Sequence, residues 1–154
     1  MFDLLLISEP LAVQDPLAEW RWKLGGATRL VCLSRAGDAF VRQADEHVWW
    51  LDCGTGSLTE VAASAAAFEA ALSQPGRRAE WLLEPVVEAS LQRDGPFASG
   101  TCLGFTQLPA LGGGYGLENR WRAPAAEHFA LTGELHRQLR DTADGARMNL
   151  RVVD

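Results

Sequence analysis

Residues 29–53 read RLVCLSRAGDAFVRQADEHVWWLDC and contain three short runs rich in β-branched and aromatic residues. The runs cover residues 29–34, 39–42 and 48–53. Gly37-Asp38 and the polar residues 44–46 separate them, and connections of this length cannot contain a crossover helix. The stretch therefore predicts three strands that pair antiparallel as a meander.

Short elements are predicted on either side of the meander. Asp15-Pro16 favours the start of a helix that continues to Leu24, because proline is tolerated in the first turn and aspartate suits the positive helix end. Residues 58–61 (LTEV) follow the turn at residues 54–56. Ser64 then has the side chain of an N-cap for a helix ending at Ser73.

The second half of the chain predicts more helix than strand. Leu83, Val87 and Leu91 repeat at helical spacing, and Pro85 should kink this helix or split it in two. Many Gly and Pro residues predict a structured loop region over 94–116, followed by a brief strand over 117–122. The clearest helix begins at Pro124, with an expected core stripe at His128, Leu131, Leu135 and Leu139. Residues 148–153 alternate like a closing strand.

Length and composition are those of an ordinary folded protein. The chain has 154 residues, of which 47% are hydrophobic and 22% charged, and it has no repeat or long polar linker. Such a chain can bury one sizeable core. We therefore expect an α+β fold in a single domain over residues 1–154, mainly an antiparallel meander covered by helices.

Charge and hydropathy disfavour nucleic acid and membrane as partners. The net charge of -6 opposes binding to phosphates, although it would suit a basic protein partner. No apolar stretch approaches the roughly 20 residues that span a bilayer, and no signal sequence is apparent at the N-terminus. Together with three widely spaced cysteines, which we expect to be reduced thiols, this predicts a cytoplasmic protein.

No arrangement in the sequence predicts catalysis, a metal site or a cofactor. His128 and His136 are two helical turns apart, too far for shared ligation, and His47 lies alone in a hairpin. Residues 112–116 (GGGYG) lack the ending of a phosphate-binding loop and favour a tight structural turn. No nucleophile motif or defined carboxylate pair is present. The protein is predicted not to be an enzyme.

Tryptophan and arginine residues are the candidates for partner binding. Several of the six tryptophans are next to charged or aromatic neighbours, and exposed Trp and Arg are typical of interface hot spots. Because strand residues alternate, Trp121 should point away from its arginine neighbours. The alternative, that these residues are core anchors and ordinary surface cations, stays open. The candidate residues are Trp20, Trp22, Trp49, Tyr115, Arg120, Trp121 and Arg122.

Several sequence blocks carry a family resemblance. The blocks of the first half are residues 20–22 (WRW), 37–40 (GDAF), 50–58 (WLDCGTGSL) and 61–68 (VAASAAAF). Those of the second half are more specific: residues 104–105 (GF), 108–109 (LP), 111–113 (LGG), 115 (Y), 118–119 (EN) and 132–138 (TGELHRQ). In this order they resemble the C-terminal domain family of bacterial type VI secretion immunity proteins, a domain of unknown function often found after a GAD-like domain.

The resemblance implies an α+β fold and a cytosolic immunity protein that binds and neutralises a co-encoded toxin or another protein partner. It implies no catalytic residues. No room for a GAD-like domain exists before Trp20, so we expect a stand-alone version of the domain.

Two alternatives stay open. One is a small-ligand-binding or enzymatic domain that uses the Gly-rich loop over residues 105–119, with Tyr115, Glu118 and Asn119 around a pocket. The other is a homo-oligomeric scaffold built through exposed tryptophans.

Overall fold

A four-stranded antiparallel sheet forms the centre of the fold. The computed structural model describes residues 3–142 of the chain. The strands follow one another in the sheet in chain order: β1 (Arg29–Leu33), β2 (Ala39–Arg42), β3 (Val48–Leu51) and β4 (Leu58–Ala62). Every neighbouring pair is antiparallel, so the predicted meander is confirmed.

Both faces of this sheet are covered. Ala39 and Val41 on β2 belong to one buried apolar cluster, whereas Phe40 between them belongs to a second. Trp49 packs against the first cluster and Trp50 against the second. Because successive strand residues point to opposite faces, neither tryptophan has to point into solvent.

The α-helices are α1 (Arg21–Leu24), α2 (Ala65–Ala71), α3 (Pro75–Trp81), α4 (Glu84–Asp94) and α5 (Ala125–Arg140). On the first face of the sheet lie α1, α5 and a 3-10 turn (Ala18–Trp20), which contribute Leu24, Phe129 and Trp20 to the first cluster. The other face is covered by α2, α3 and α4, which contribute Phe68, Trp81 and Val87 to the second. The confirmed α+β fold is thus a sheet between two helical layers.

The ends of the helices follow the predicted signals. Ser64 caps α2, and its hydroxyl oxygen accepts a hydrogen bond from the Ala67 amide at 3.1 Å. The next predicted helix is split into α3 and α4, with Pro85 in the first turn of α4. Leu83 at the break has a left-handed backbone with a φ of 48°. This conformation is unusual for a residue other than glycine, and it turns the chain between the two helices.

A second, two-stranded sheet pairs β5 (Thr101–Phe105) with β6 (Arg120–Pro124). The expectation of loop over 94–116 was wrong for β5, and the strand predicted over 117–122 is a 3-10 turn (Leu117–Asn119) followed by β6. The Leu103 amide donates to the Arg35 carbonyl at 2.7 Å, which ties this hairpin to the turn that follows β1.

Helix α5 begins where Pro124 predicts, but its buried face differs from the expected leucine stripe. The buried residues of the helix are Ala125, His128, Phe129, Thr132, Gly133 and His136. Leu131, Leu135 and Leu139 are only half-buried, so three of the four predicted core positions were wrong. A Cβ atom on Gly133 would lie 2.6 Å from the Glu19 carbonyl oxygen, so glycine allows the helix to approach the 3-10 turn.

Two expectations concern the remaining chain. The closing strand predicted over 148–153 lies outside the described residues. Within residues 3–142, none of the helices combines the length and the apolar character needed to cross a membrane.

Candidate functional site

An apolar groove of about 830 Å³ lies between the β5–β6 hairpin and α5. We call it the Trp121 groove. The large apolar side chains that line it are Val13, Phe105, Leu108, Leu111, Trp121, Leu131 and Leu135. Leu131 and Leu135 of α5 therefore form one wall of an open surface feature.

The groove contains most of the exposed large hydrophobic side chains of the described residues. Five large hydrophobic side chains are exposed in that part of the chain, and three of them line the groove: Val13 at 44%, Leu111 at 41% and Trp121 at 49%. Single exposed apolar residues are normal on a protein surface, but clustering in a concavity marks a site of interaction.

Trp121 owes its position to the strand opposite. It pairs with Gly104 of β5, where an added Cβ atom would lie 3.2 Å from the indole Nε1. Glycine inside a strand permits such a close approach. The predicted alternation also holds here, because Arg122 points away from the groove to the end of α4, where it donates to Ser90 Oγ at 2.9 Å.

Glu127 on α5 is the one acidic or basic side chain in the lining, apart from the neutral His128. Burial lowers the pKa of His128 to about 4, and its Nε2–H donates to the Gly37 carbonyl at 2.7 Å. Thr132 donates its hydroxyl to the His128 carbonyl at 2.8 Å. Among the described residues, no side chain forms an ion pair with exposed Glu127. The groove is therefore apolar, with one uncompensated carboxylate.

Arg120 begins β6, next to Trp121, and is a structural anchor. Its guanidinium donates to the carbonyls of Leu103 at 2.9 Å, Gly104 at 3.1 Å and Tyr115 at 3.3 Å, and also to that of Ala36. It also stacks 4.0 Å from the centre of the Phe105 ring. With 5% of its surface exposed, Arg120 offers little area to a partner.

The Asp38 carboxyl group is buried near the Arg120 guanidinium. Asp38 accepts hydrogen bonds from Trp50 Nε1 and from the Cys53 amide, both at 3.0 Å. Burial, with the neighbouring Asp52 carboxyl, raises the pKa of Asp38 to about 7. These bonds fasten the β1–β2 turn to the end of β3, so Asp38 has a structural role in holding the meander together.

The loop over residues 105–119 is held by its own side chains. Tyr115 donates its hydroxyl to Asp52 Oδ2 at 2.8 Å, and burial together with this bond raises the pKa of Tyr115. Asn119 Nδ2 donates to the carbonyls of Gln107 at 2.8 Å and Gly114 at 2.7 Å. Glu118 is exposed. Tyr115, Glu118 and Asn119, the candidates for a ligand pocket, do not line the Trp121 groove.

The seven candidate partner-binding residues are not brought together. Trp20 is fully buried, with its ring 6.0 Å from that of Trp22 and 5.3 Å from that of His136. Trp22 donates its indole N–H to the Gly133 carbonyl at 3.1 Å. Trp49, Tyr115 and Arg122 are half-buried, and Arg120 is buried. Trp121 alone of the seven is exposed and lines the groove.

Sequence reasoning missed Val13, Leu111 and Glu127 as members of the site. The sequence of α5 did contain a signal for the groove. Besides the small and aromatic residues that α5 buries, it carries Leu131 and Leu135. A helix that has more apolar residues than its core-facing side can hold must bury the others against another element or leave them exposed.

The three cysteines of the described residues do not have the properties of nucleophiles. Burial raises the pKa of Cys32 and of Cys102 to about 12, and it raises the pKa of Cys53 as well. These thiols stay protonated at neutral pH, whereas nucleophilic cysteine requires the thiolate. No three His, Cys, Asp or Glu side chains between residues 3 and 142 are grouped to hold a metal ion.

Residues 62–136 match the family model described as T6SS immunity protein Tdi1, C-terminal. This stretch, which we call the Tdi1 C-terminal segment, is similar to that family. The family resemblance is thus confirmed for the second half of the fold, from the last residue of β4 into α5. No curated protein and no solved structure matched the chain.

The Tdi1 C-terminal segment contains almost all of the groove. It includes β5, β6, the loop between them and the groove-lining part of α5, so that Val13 is the one lining residue outside it. The family that matches is one of immunity proteins, and the exposed apolar feature lies in the part of the chain that matches.

Proposed function

We propose that this protein is a bacterial immunity protein that binds a toxin encoded by a neighbouring gene and neutralises it in the cytoplasm, without catalysis of its own. The match of residues 62–136 to an immunity protein family supports the proposal. The observation that carries it on the structural side is the Trp121 groove, which lies in the matched segment.

The physical character of the groove suits a protein partner. Exposed apolar surface gains roughly 25 cal/mol per Å² when a partner covers it. Tryptophan is enriched among the residues that dominate binding energies, because it buries a large rigid surface with little loss of side-chain freedom. Trp121 lies on a strand and Leu131 on a long helix, so both are held on rigid elements before a partner arrives.

The proposal is tested by co-expression with the product of the adjacent gene. We expect cells that carry this protein to survive induction of that product, and the two chains to co-purify as a stable complex. An otherwise identical vector without the immunity gene is the control. Toxicity that persists, together with no complex, would contradict the proposal.

The groove also supports a second candidate, a site for a small apolar ligand. Its volume of about 830 Å³ falls in the range of roughly 300 to 1,000 Å³ that is typical of ligand pockets. Native mass spectrometry of protein purified from its own bacterium discriminates the two candidates. A bound small molecule that Trp121→Ala removes would favour the ligand site, whereas a bare mass favours the protein interface.

A further inference from the structure

We infer that the Trp121 groove receives a segment of the partner in which a large apolar side chain stands next to a lysine or arginine, and that this cation pairs with Glu127. The inference rests on the proposed function, because it takes the toxin as the partner. It specifies the chemistry of the contact.

The apolar part follows from the lining. Trp121, Leu111 and Val13 surround the opening, while Leu131 and Leu135 are half-buried along the helix. Most other polar side chains of the lining already have partners, since His128 bonds Gly37 and Thr132 bonds the backbone of its own helix. Gln107 Nε2 donates to the Leu111 carbonyl at 2.8 Å, and Thr106 adds one hydroxyl. An occupant therefore finds few bonding partners in the groove and gains mainly by burying apolar surface.

The charged part follows from Glu127. A purely apolar occupant that covered this carboxylate would remove it from water without compensation, which is unfavourable for an ion. A lysine or arginine at the edge of the occupant offsets that cost. The face of the Trp121 indole is a second favourable position for the same cation.

The net charge of the whole chain also favours a basic partner. A net charge of -6 accelerates association with a basic partner and opposes association with a second copy of this chain. In a symmetric dimer through the groove, each copy would also present Glu127 to the same surface of the other. The favoured occupant is therefore a basic, amphipathic segment of a different protein.

The test measures the dissociation constant of the purified adjacent-gene product for five variants and the wild type. Trp121→Ala is expected to weaken binding roughly thirtyfold, the loss typical of a hot-spot residue. Glu127→Lys should weaken it by about tenfold or more, and Glu127→Gln by less. The matched controls are Leu30→Ala, an equally exposed apolar residue outside the groove, and Glu88→Lys, the same charge change on α4.

Salt and folding measurements complete the design. Raising the ionic strength should weaken binding by the wild type more than by Glu127→Gln, since the ion pair is screened. Glu127 is exposed, so its variants should melt with the wild type, and they keep the inference testable if Trp121→Ala is less stable.

Each outcome decides one question. Tight binding by the wild type that none of the groove variants weakens would overturn the inference and leave the immunity function standing. A concentration-dependent dimer abolished by Trp121→Ala would make a second copy the occupant, and it would also overturn the inference. Absence of binding by the wild type would overturn both the inference and the proposed function.

Discussion

Replacing Arg120 by methionine removes the cation that joins the β5–β6 hairpin to the turn before β2, while it keeps most of the side-chain volume. Four backbone carbonyls lose their donor. A hydrogen bond to a charged group contributes about 1.5 to 3 kcal/mol, but such bonds on one residue are not additive. Removal of one member of a buried charged set typically costs about 3 to 5 kcal/mol.

We therefore expect Arg120→Met to lower the free energy of unfolding by about 4 kcal/mol, which lowers the Tm by about 10 °C for a chain of this length. Urea unfolding followed by tryptophan fluorescence measures the loss. Arg93→Met is the matched control, because Arg93 is exposed and pairs only with exposed Asp94, and its loss should stay within about 0.5 kcal/mol. A loss below about 1 kcal/mol for Arg120→Met would refute the anchoring role.

Four further substitutions test a buried histidine, two glycines and a helix cap. Burial lowers the pKa of His128 from 6.5 to about 4, so its contribution to stability is present above pH 6.5 and is lost as the pH falls toward 4. In urea titrations at several pH values, the advantage of wild type over His128→Gln should shrink by about 3 kcal/mol from pH 7 to pH 4, and a constant difference would contradict this account. Gly113→Ala places a Cβ 1.9 Å from the Gln107 carbonyl oxygen and should lower the Tm, whereas Gly76→Ala in open space on α3 should raise stability by about 0.5 to 1 kcal/mol. Ser64→Ala removes the cap of α2 and should lower the free energy of unfolding, measured by chemical denaturation, by about 1 kcal/mol. An unchanged free energy of unfolding would mean that water replaces the hydroxyl at this helix end.

The elements that the sequence predicts well are those with local causes. The meander follows from apolar runs joined by short turns, and the Ser64 cap and the Pro85 break depend on residues next to one another. These signals act through backbone geometry and nearby hydrogen bonds, which chain order determines. Tertiary packing did not override them.

The errors concern features that depend on distant segments. Strand β5 was missed because Gly100 and Gly104 resemble turn residues, although Gly104 serves the close approach of Trp121 from β6. In α5, Thr132 and His136 are buried because the strand ends and the backbone supply their hydrogen bonds. The more apolar Leu131 therefore stays at the surface, which periodicity alone cannot reveal.

The candidate site was predicted only in part. The choice of Trp121 as a surface residue agrees with its exposure, because strand alternation separates it from Arg120. Burial of Trp20 and Arg120 depends on contacts across the fold, with His136 in one case and Ala36 in the other. Without knowledge of those contacts, the sequence cannot distinguish a surface arginine from one whose guanidinium donates to four carbonyls.

Helix α5 packs closely against the 3-10 turn at residues 18–20, which lies outside the Tdi1 C-terminal segment. Residues 62–136 include Phe129 and Gly133, but β1, β2, β3 and Trp20, against which that helix face packs, all precede residue 62. The boundaries of the family match therefore differ from the boundaries of the unit that packs together in this chain. The half that contains the groove depends for its shape on residues that precede the matched segment, so substitutions far upstream can alter the groove without touching it.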